Sequence, residues 1–214
     1  MKKTFKFITA SLIAVSLYAA SWAHATTFAV SGSSDPGAYS VTLNGNDPIL
    51  VPVAVITLAS PWVPGSWMTY NNPNQSWPMN TGSGNLPGTY NYLTMFDLTG
   101  LDPLTAVITG SWASDNGASF YLNDPDSSPV STIGETGYGS LTYFTINSGF
   151  IAGVNLLMFE VTNDPWGSDP FINPTGLLVN INSATANPVP EPTTILLLGA
   201  GLIGIGFMRR RAKN

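Results

Sequence analysis

The sequence predicts an all-β fold, a sandwich or barrel of short strands. Three observations carry that expectation. Apolar residues alternate with polar ones over short runs. Gly, Pro, Asn, Ser and Thr crowd the gaps between them. No long segment with a 3.6-residue period appears outside the two ends.

The elements follow in chain order. "MKKTFKFITASLIAVSLYAASWAHA" opens with Lys2, Lys3 and Lys6, continues as an apolar stretch and ends on Ala23-His24-Ala25. A cationic head, a short apolar core and a small-x-small end are the parts of a secretory signal peptide, with cleavage expected after Ala25. The apolar core is short for a permanent anchor. "YSVTL" and "PILVPVAVITL" flank Asn44-Gly45, which reads as a hairpin or tight turn. Residues 59–89 read as one long polar and aromatic loop, and a loop of that length in a compact domain is functional or locally packed.

Strands resume with "TYNYLTMFDL", where Tyr90, Tyr92, Thr94, Phe96 and Leu98 share a face, because successive side chains alternate sides of a strand. Ala106, Ile108 and Trp112 share a face in "TAVITGSW", Phe120 and Leu122 in "SFYLN", and Phe144 and Ile146 in "TYFTIN". "NLLMFEV" is apolar on both faces, with Leu157, Phe159 and Val161 opposite Leu156 and Met158, which suits a central strand. "GLLVNI" closes the set with Leu177, Val179 and Ile181.

Charge divides the chain sharply. All seven Lys and Arg lie in the two terminal segments. The body, residues 26–187, has eleven of the twelve carboxylates (the twelfth is Glu191) and so a formal charge of −11. Without cations it cannot neutralise nucleic-acid phosphates, and it lacks the usual partners of phosphate and carboxylate ligands. The chain has no cysteine, and its one histidine, His24, precedes the expected cleavage point. The body therefore has no thiol, no disulfide and no imidazole for a triad or zinc site.

The C-terminus reads "VPEPTTILLLGAGLIGIGFMRRRAKN". Its Gly199-x-Gly201-x-x-Gly204 spacing lacks the preceding strand and the acid about 20 residues on that a dinucleotide loop needs. The apolar run Thr194 to Met208 is fifteen residues, roughly 22 Å as a helix against a hydrocarbon core of about 30 Å. It reads as a short transmembrane helix used before processing, with the arginines on the cytoplasmic side.

These C-terminal parts resemble a PEP-CTERM sorting signal. The matching residues are Val189, Pro190, Glu191, Pro192 and Thr193, then the apolar run, then Arg209, Arg210 and Arg211. The resemblance implies an exosortase, an integral-membrane cysteine protease, as partner. It also implies transient anchoring in the inner membrane of a Gram-negative bacterium and passage to the cell surface, often where exopolysaccharide is made.

A second resemblance covers about residues 60–184. "PGTYNYLTMFDLTGLDPLTAVITGSWASDNGASFYLND", "FTINSGFIAGVNLLMFEVTND" and "NPTGLLVNINSAT" are similar to galactose-binding-like jelly-roll β-sandwiches found in PEP-CTERM proteins. The sequence departs at Asp124, where a glycine often follows the Asn. The resemblance implies architecture rather than a ligand, since such folds serve both sugar binding and structural packing. The resulting domain plan is a signal peptide at 1–25, a β-sandwich at 26–187 and the sorting signal at 188–214.

Two candidate sites emerge from the body. Trp62, Trp67, Tyr70 and Trp77 could stack on sugar rings, with Asn71, Asn72, Asn74 and Gln75 reaching hydroxyls, or could cover one end of the sandwich. Asp115, Asp124 and Asp126 offer oxygen ligands of the kind Ca²⁺ takes, although turn-forming aspartate explains them equally and no twelve-residue calcium loop is present. Glu135 and Glu160 as a glycosidase pair is disfavoured, because one is placed in a Gly/Thr loop and the other on a strand.

The expectation is a non-enzymatic exported protein with no cofactor beyond a structural Ca²⁺. It would serve as a matrix or exopolysaccharide-associated component. The alternative is a carbohydrate-binding module that uses the 60–80 aromatics.

Overall fold

A computed structural model describes residues 25–50, 52–57, 62–69, 86–165, 173–189 and 192–211. Residues 25–187 form one compact unit, and Met1–His24 with Pro188–Asn214 group separately. The expected contacts or motif positions at Ala23, Tyr70, Trp77, Pro190 and Glu191 lie outside the described residues.

Twelve strands are described: β1 Thr26–Thr27, β2 Tyr39–Leu43, β3 Asn46–Leu50, β4 Val53–Thr57, β5 Gly65–Thr69, β6 Gly88–Asp97, β7 Val107–Asp115, β8 Ala118–Leu122, β9 Ser131–Ile133, β10 Thr142–Ile146, β11 Val154–Asn163 and β12 Gly176–Ala186. One antiparallel sheet runs β10-β7-β12-β5-β4, with β1 also on β12, and the other runs β3-β2-β6-β11-β8-β9. From β5 to β12 the chain changes sheet at every step except β8 to β9. This is the winding of a jelly-roll β-sandwich.

The alternation read from the sequence sets the register. Tyr90, Tyr92, Thr94, Phe96 and Leu98 are all buried, while Met95 and Asp97 are exposed. β11 lies between β6 and β8, pairing Phe159 with Tyr92 on one side and with Phe120 on the other. Phe120 is the hub of the core, with ring centroids 5.1 Å from each of Trp112, Phe144 and Phe159. Trp112 is fully buried, and among the described residues its indole N–H has no hydrogen-bond partner. Asn44 and Gly45 turn β2 into β3 at φ 51° and 67°, the pair of positive values a two-residue hairpin requires.

Residues 59–89 are not a single loop. Gly65–Thr69 forms β5, paired with β4 and with β12. Met68 packs in the main core, while Trp67 packs on the opposite face with Ala113 and Leu178. A strand buried on both faces loses its alternation, which is why the pattern did not reveal it.

The separate C-terminal helix, α1, spans Pro192–Arg211, with Arg209, Arg210 and Arg211 in its last turn. Among the described residues no helix is long and apolar enough to cross a membrane, so the expected transmembrane helix is not met. The apolar run from Thr194 to Met208 holds four glycines and stops at Arg209.

Candidate functional site

A cavity of about 460 Å³ opens at the end of β7, lined by Trp62, Asp115, Asn116, Glu135, Thr136, Tyr138, Asp164, Pro165, Asn173 and Pro174. Its volume falls in the range of small-ligand pockets, roughly 300–1,000 Å³.

Local structure explains how these residues meet. β7 ends at Asp115, and Asn116-Gly117 carries the chain to β8 in the other sheet. Asn116 ties the surrounding segments together. Its N–H donates to the Thr162 carbonyl at 3.1 Å, and its Oδ1 accepts from the Asp164 N–H at 3.2 Å and from Asn173 Nδ2 at 3.1 Å. Asn173 Nδ2 also donates to the Asp164 carbonyl, and the Thr175 hydroxyl donates to the Asp115 carbonyl.

On the other wall a 3-10 turn, Gly137–Gly139, presents Tyr138. A Cβ at Gly137 would run into Ile133 Cγ2, so only glycine lets this turn lie so close to β9. The Val63 N–H donates to the Tyr138 carbonyl at 2.8 Å. Trp62 and Tyr138, both half-buried, pack against the small cluster of Trp67, Ala113 and Leu178. Their rings lie 5.9 Å apart at 47°.

Asp115 is the electrostatic centre. It is 2% exposed, and its Oδ2 accepts the Trp62 indole N–H at 2.9 Å. Burial pushes its pKa up from 3.8 to about 6, against the opposing pull of that hydrogen bond. Glu135 and Asp164, both exposed, share the cavity. An aromatic wall, loop amides and carboxylates can hold hydroxyl and ammonium donors against ring faces.

The expected sites are only partly assembled. Of the four aromatics proposed for sugar stacking, Trp62 lines the cavity. Trp67 is fully buried, its indole N–H donating to the Val63 carbonyl at 3.0 Å, and this corrects its placement as a ligand-facing ring. Asp115 does not meet Asp124 and Asp126, because the five residues of β8 set the two ends roughly 13 Å apart. Asp124 Oδ1 instead accepts the Asp126 N–H at 3.0 Å, the turn role that aspartate favours. Among the described residues no group of three or more acidic, histidine or cysteine side chains could hold a metal ion. Glu160 lies on β11 opposite Asn91 and Ser119 and is not among the residues that line the cavity with Glu135.

Tyr138 and Asn173 escaped the sequence reading. The aromatic inside the glycine-flanked "TGYGS" was the available signal for Tyr138, and Asn173 left none.

Comparison with known proteins adds two findings. The PEP-CTERM protein-sorting motif matches residues 188–211, so the chain carries a signal for export and for sorting to the cell envelope or surface, which an exosortase recognises. No curated protein matches the chain. Among solved structures, a family 35 carbohydrate binding module from an environmental isolate is similar at 12% identity, covering 71% of this chain and 98% of that one, with a TM-score of 0.31. A likeness that slight says nothing of the ligand.

Proposed function

We propose that this exported, exosortase-sorted chain is a non-enzymatic surface or matrix component that holds exopolysaccharide in the cavity beside Trp62 and Asp115. The sorting motif supplies the location. An exosortase-type protease of a Gram-negative inner membrane would release it to the surface. The single observation behind the glycan reading is the cavity itself, where an aromatic pair and a buried carboxylate meet loop amides in one concave wall. Sugar rings offer apolar C–H faces to the former and hydroxyl donors to the latter. The body lacks an imidazole, a thiol and an amine for catalysis, which favours holding over turnover.

Calorimetric titration of the full chain with the cells' own surface polysaccharide tests this. Saturable binding that Trp62→Ala abolishes is expected. Binding that Trp62→Ala leaves intact would remove the cavity from the reading.

A further inference from the structure

The sorting motif leaves the domain from a fixed point. It begins at residue 188, and Asn187 just before it is gripped through both of its backbone polar groups. The Asn187 N–H donates to Thr105 Oγ1 at 2.8 Å, and the Asn187 carbonyl accepts from the Asp102 N–H at 2.7 Å. Both partners belong to the 3-10 turn Pro103–Thr105 and its cap, in the link from β6 to β7. The turn is itself tied down. Asp102 Oδ1 accepts from the Leu104 N–H at 3.0 Å, and the Asp102 carbonyl accepts from the Thr105 N–H at 3.0 Å and the Thr105 hydroxyl at 2.8 Å. Pro103 fixes the backbone at its first position.

This stiff turn holds an apolar side chain out into solvent. Leu104 is 89% exposed, the most exposed large hydrophobic residue among those described. One exposed leucine is ordinary on a protein surface, and its place is what sets this one apart. It stands between the two residues that hold Asn187, and an exosortase that recognises residues 188–211 works on chain that starts one residue past that grip. The leucine therefore adjoins a stretch already committed to a partner, on a backbone that loses little freedom in docking. Ile151, 51% exposed in the link from β10 to β11, lies at the same end of the sandwich, since Val154 pairs with Asp97 and Thr185 with Val107. A lipid surface is a poorer occupant, because the body has eleven carboxylates and no cation to meet anionic headgroups.

We infer that the Asp102–Ala106 turn is a docking element for the exosortase: Leu104 enters an apolar recess on the protease's exported face, and the grip on Asn187 sets its distance from the motif. The inference rests on exosortase recognition of that motif. It is independent of the glycan cavity, which lies at the far end of the nine-residue β7, roughly 26 Å along the strand.

The test is made in cells that express the full chain with a tagged exosortase. A photoreactive benzoylphenylalanine in place of Leu104 should cross-link to the tagged protease, and one in place of Tyr143, 75% exposed on β10, should not. In a pulse-chase, Leu104→Ser should keep its Arg209–Lys213 tail about tenfold longer than the wild type, the scale of burying one leucine against a partner. Tyr143→Ser should lose the tail at the wild-type rate. Equal urea midpoints for Leu104→Ser and wild type are expected at so exposed a position, which separates slow processing from misfolding. A Gly/Ser insert between Asn187 and Pro188 should shrink the effect of Leu104→Ser, because the motif then binds without carrying the turn with it. Wild-type processing of Leu104→Ser, cross-links from position 104 to lipid alone, or an effect that survives the insert undiminished would each overturn the inference and leave sorting intact. A wild-type chain that neither cross-links nor loses its tail would sink exosortase release as well.

Discussion

Asp115 should make the domain less stable as pH rises. Its carboxyl titrates near 6 in the folded protein against 3.8 for an unburied aspartate. The folded state therefore holds the proton more tightly than the unfolded chain does. Stability from this group is fully present below 3.8 and is lost as pH climbs through 6. A shift of about two units is worth about 3 kcal/mol. Asp115→Asn keeps the shape and an oxygen for the Trp62 indole but cannot ionise. The assay is urea unfolding of both proteins from pH 4 to pH 7.5, read as the difference between them so that the other carboxylates cancel. The variant should gain on the wild type by about 2.5 kcal/mol across that window, since part of the loss already lies below pH 4. Parallel pH profiles, or an Asp115 carboxyl that titrates near 4 by carbon NMR, would refute the burial argument.

Further expectations are shorter to state. Trp62→Phe keeps a ring beside Asp115 but removes the indole hydrogen bond that holds its pKa down, so the NMR midpoint of Asp115 should rise, and an unchanged or lower midpoint would refute that role. Asp97, whose carboxylate accepts from the Thr99 hydroxyl at 2.7 Å and the Thr99 N–H at 2.8 Å, should titrate below 3.8, and Asp97→Asn should lose a contribution that is present at neutral pH and fades as pH falls. Phe120→Ala empties the hub of four rings and should cost about 3–5 kcal/mol in urea unfolding; a loss under 1 kcal/mol would deny it that place. Mass spectrometry of surface material should find the protein without Arg209 to Lys213, and intact tails there would count against cleavage at the sorting motif.

Where one face of a strand is buried and the other is wet, the sequence was readable. β6, β8 and β10 show that alternation plainly, and their large inward residues are legible from it, while the small Ala118 of β8 is not. The hairpin at Asn44-Gly45 was equally plain, since few residues accept positive φ. β5 was hidden because both of its faces are covered, and the same double burial put Trp67 out of reach of any ligand. The cavity was half visible. Trp62, Asp115 and Glu135 each stood out by residue type, yet nothing local said that segments 53 and 20 residues apart in the chain would meet. That meeting depends on Asn116, Asn173 and the Thr162 carbonyl, whose hydrogen bonds are long-range and leave no periodic trace.

The position of β12 has a consequence for the order of events during export. It is the last strand of the domain, yet it occupies the middle of its sheet, paired with β7, β5 and β1. Thr26, next to the cleavage expected after Ala25, sits opposite Ala186, and the sorting motif begins at residue 188. A chain emerging from its N-terminus cannot close that sheet until residue 186 is through. Closure of the sheet therefore waits for the last strand, and chains truncated before Gly176 should stay open to protease.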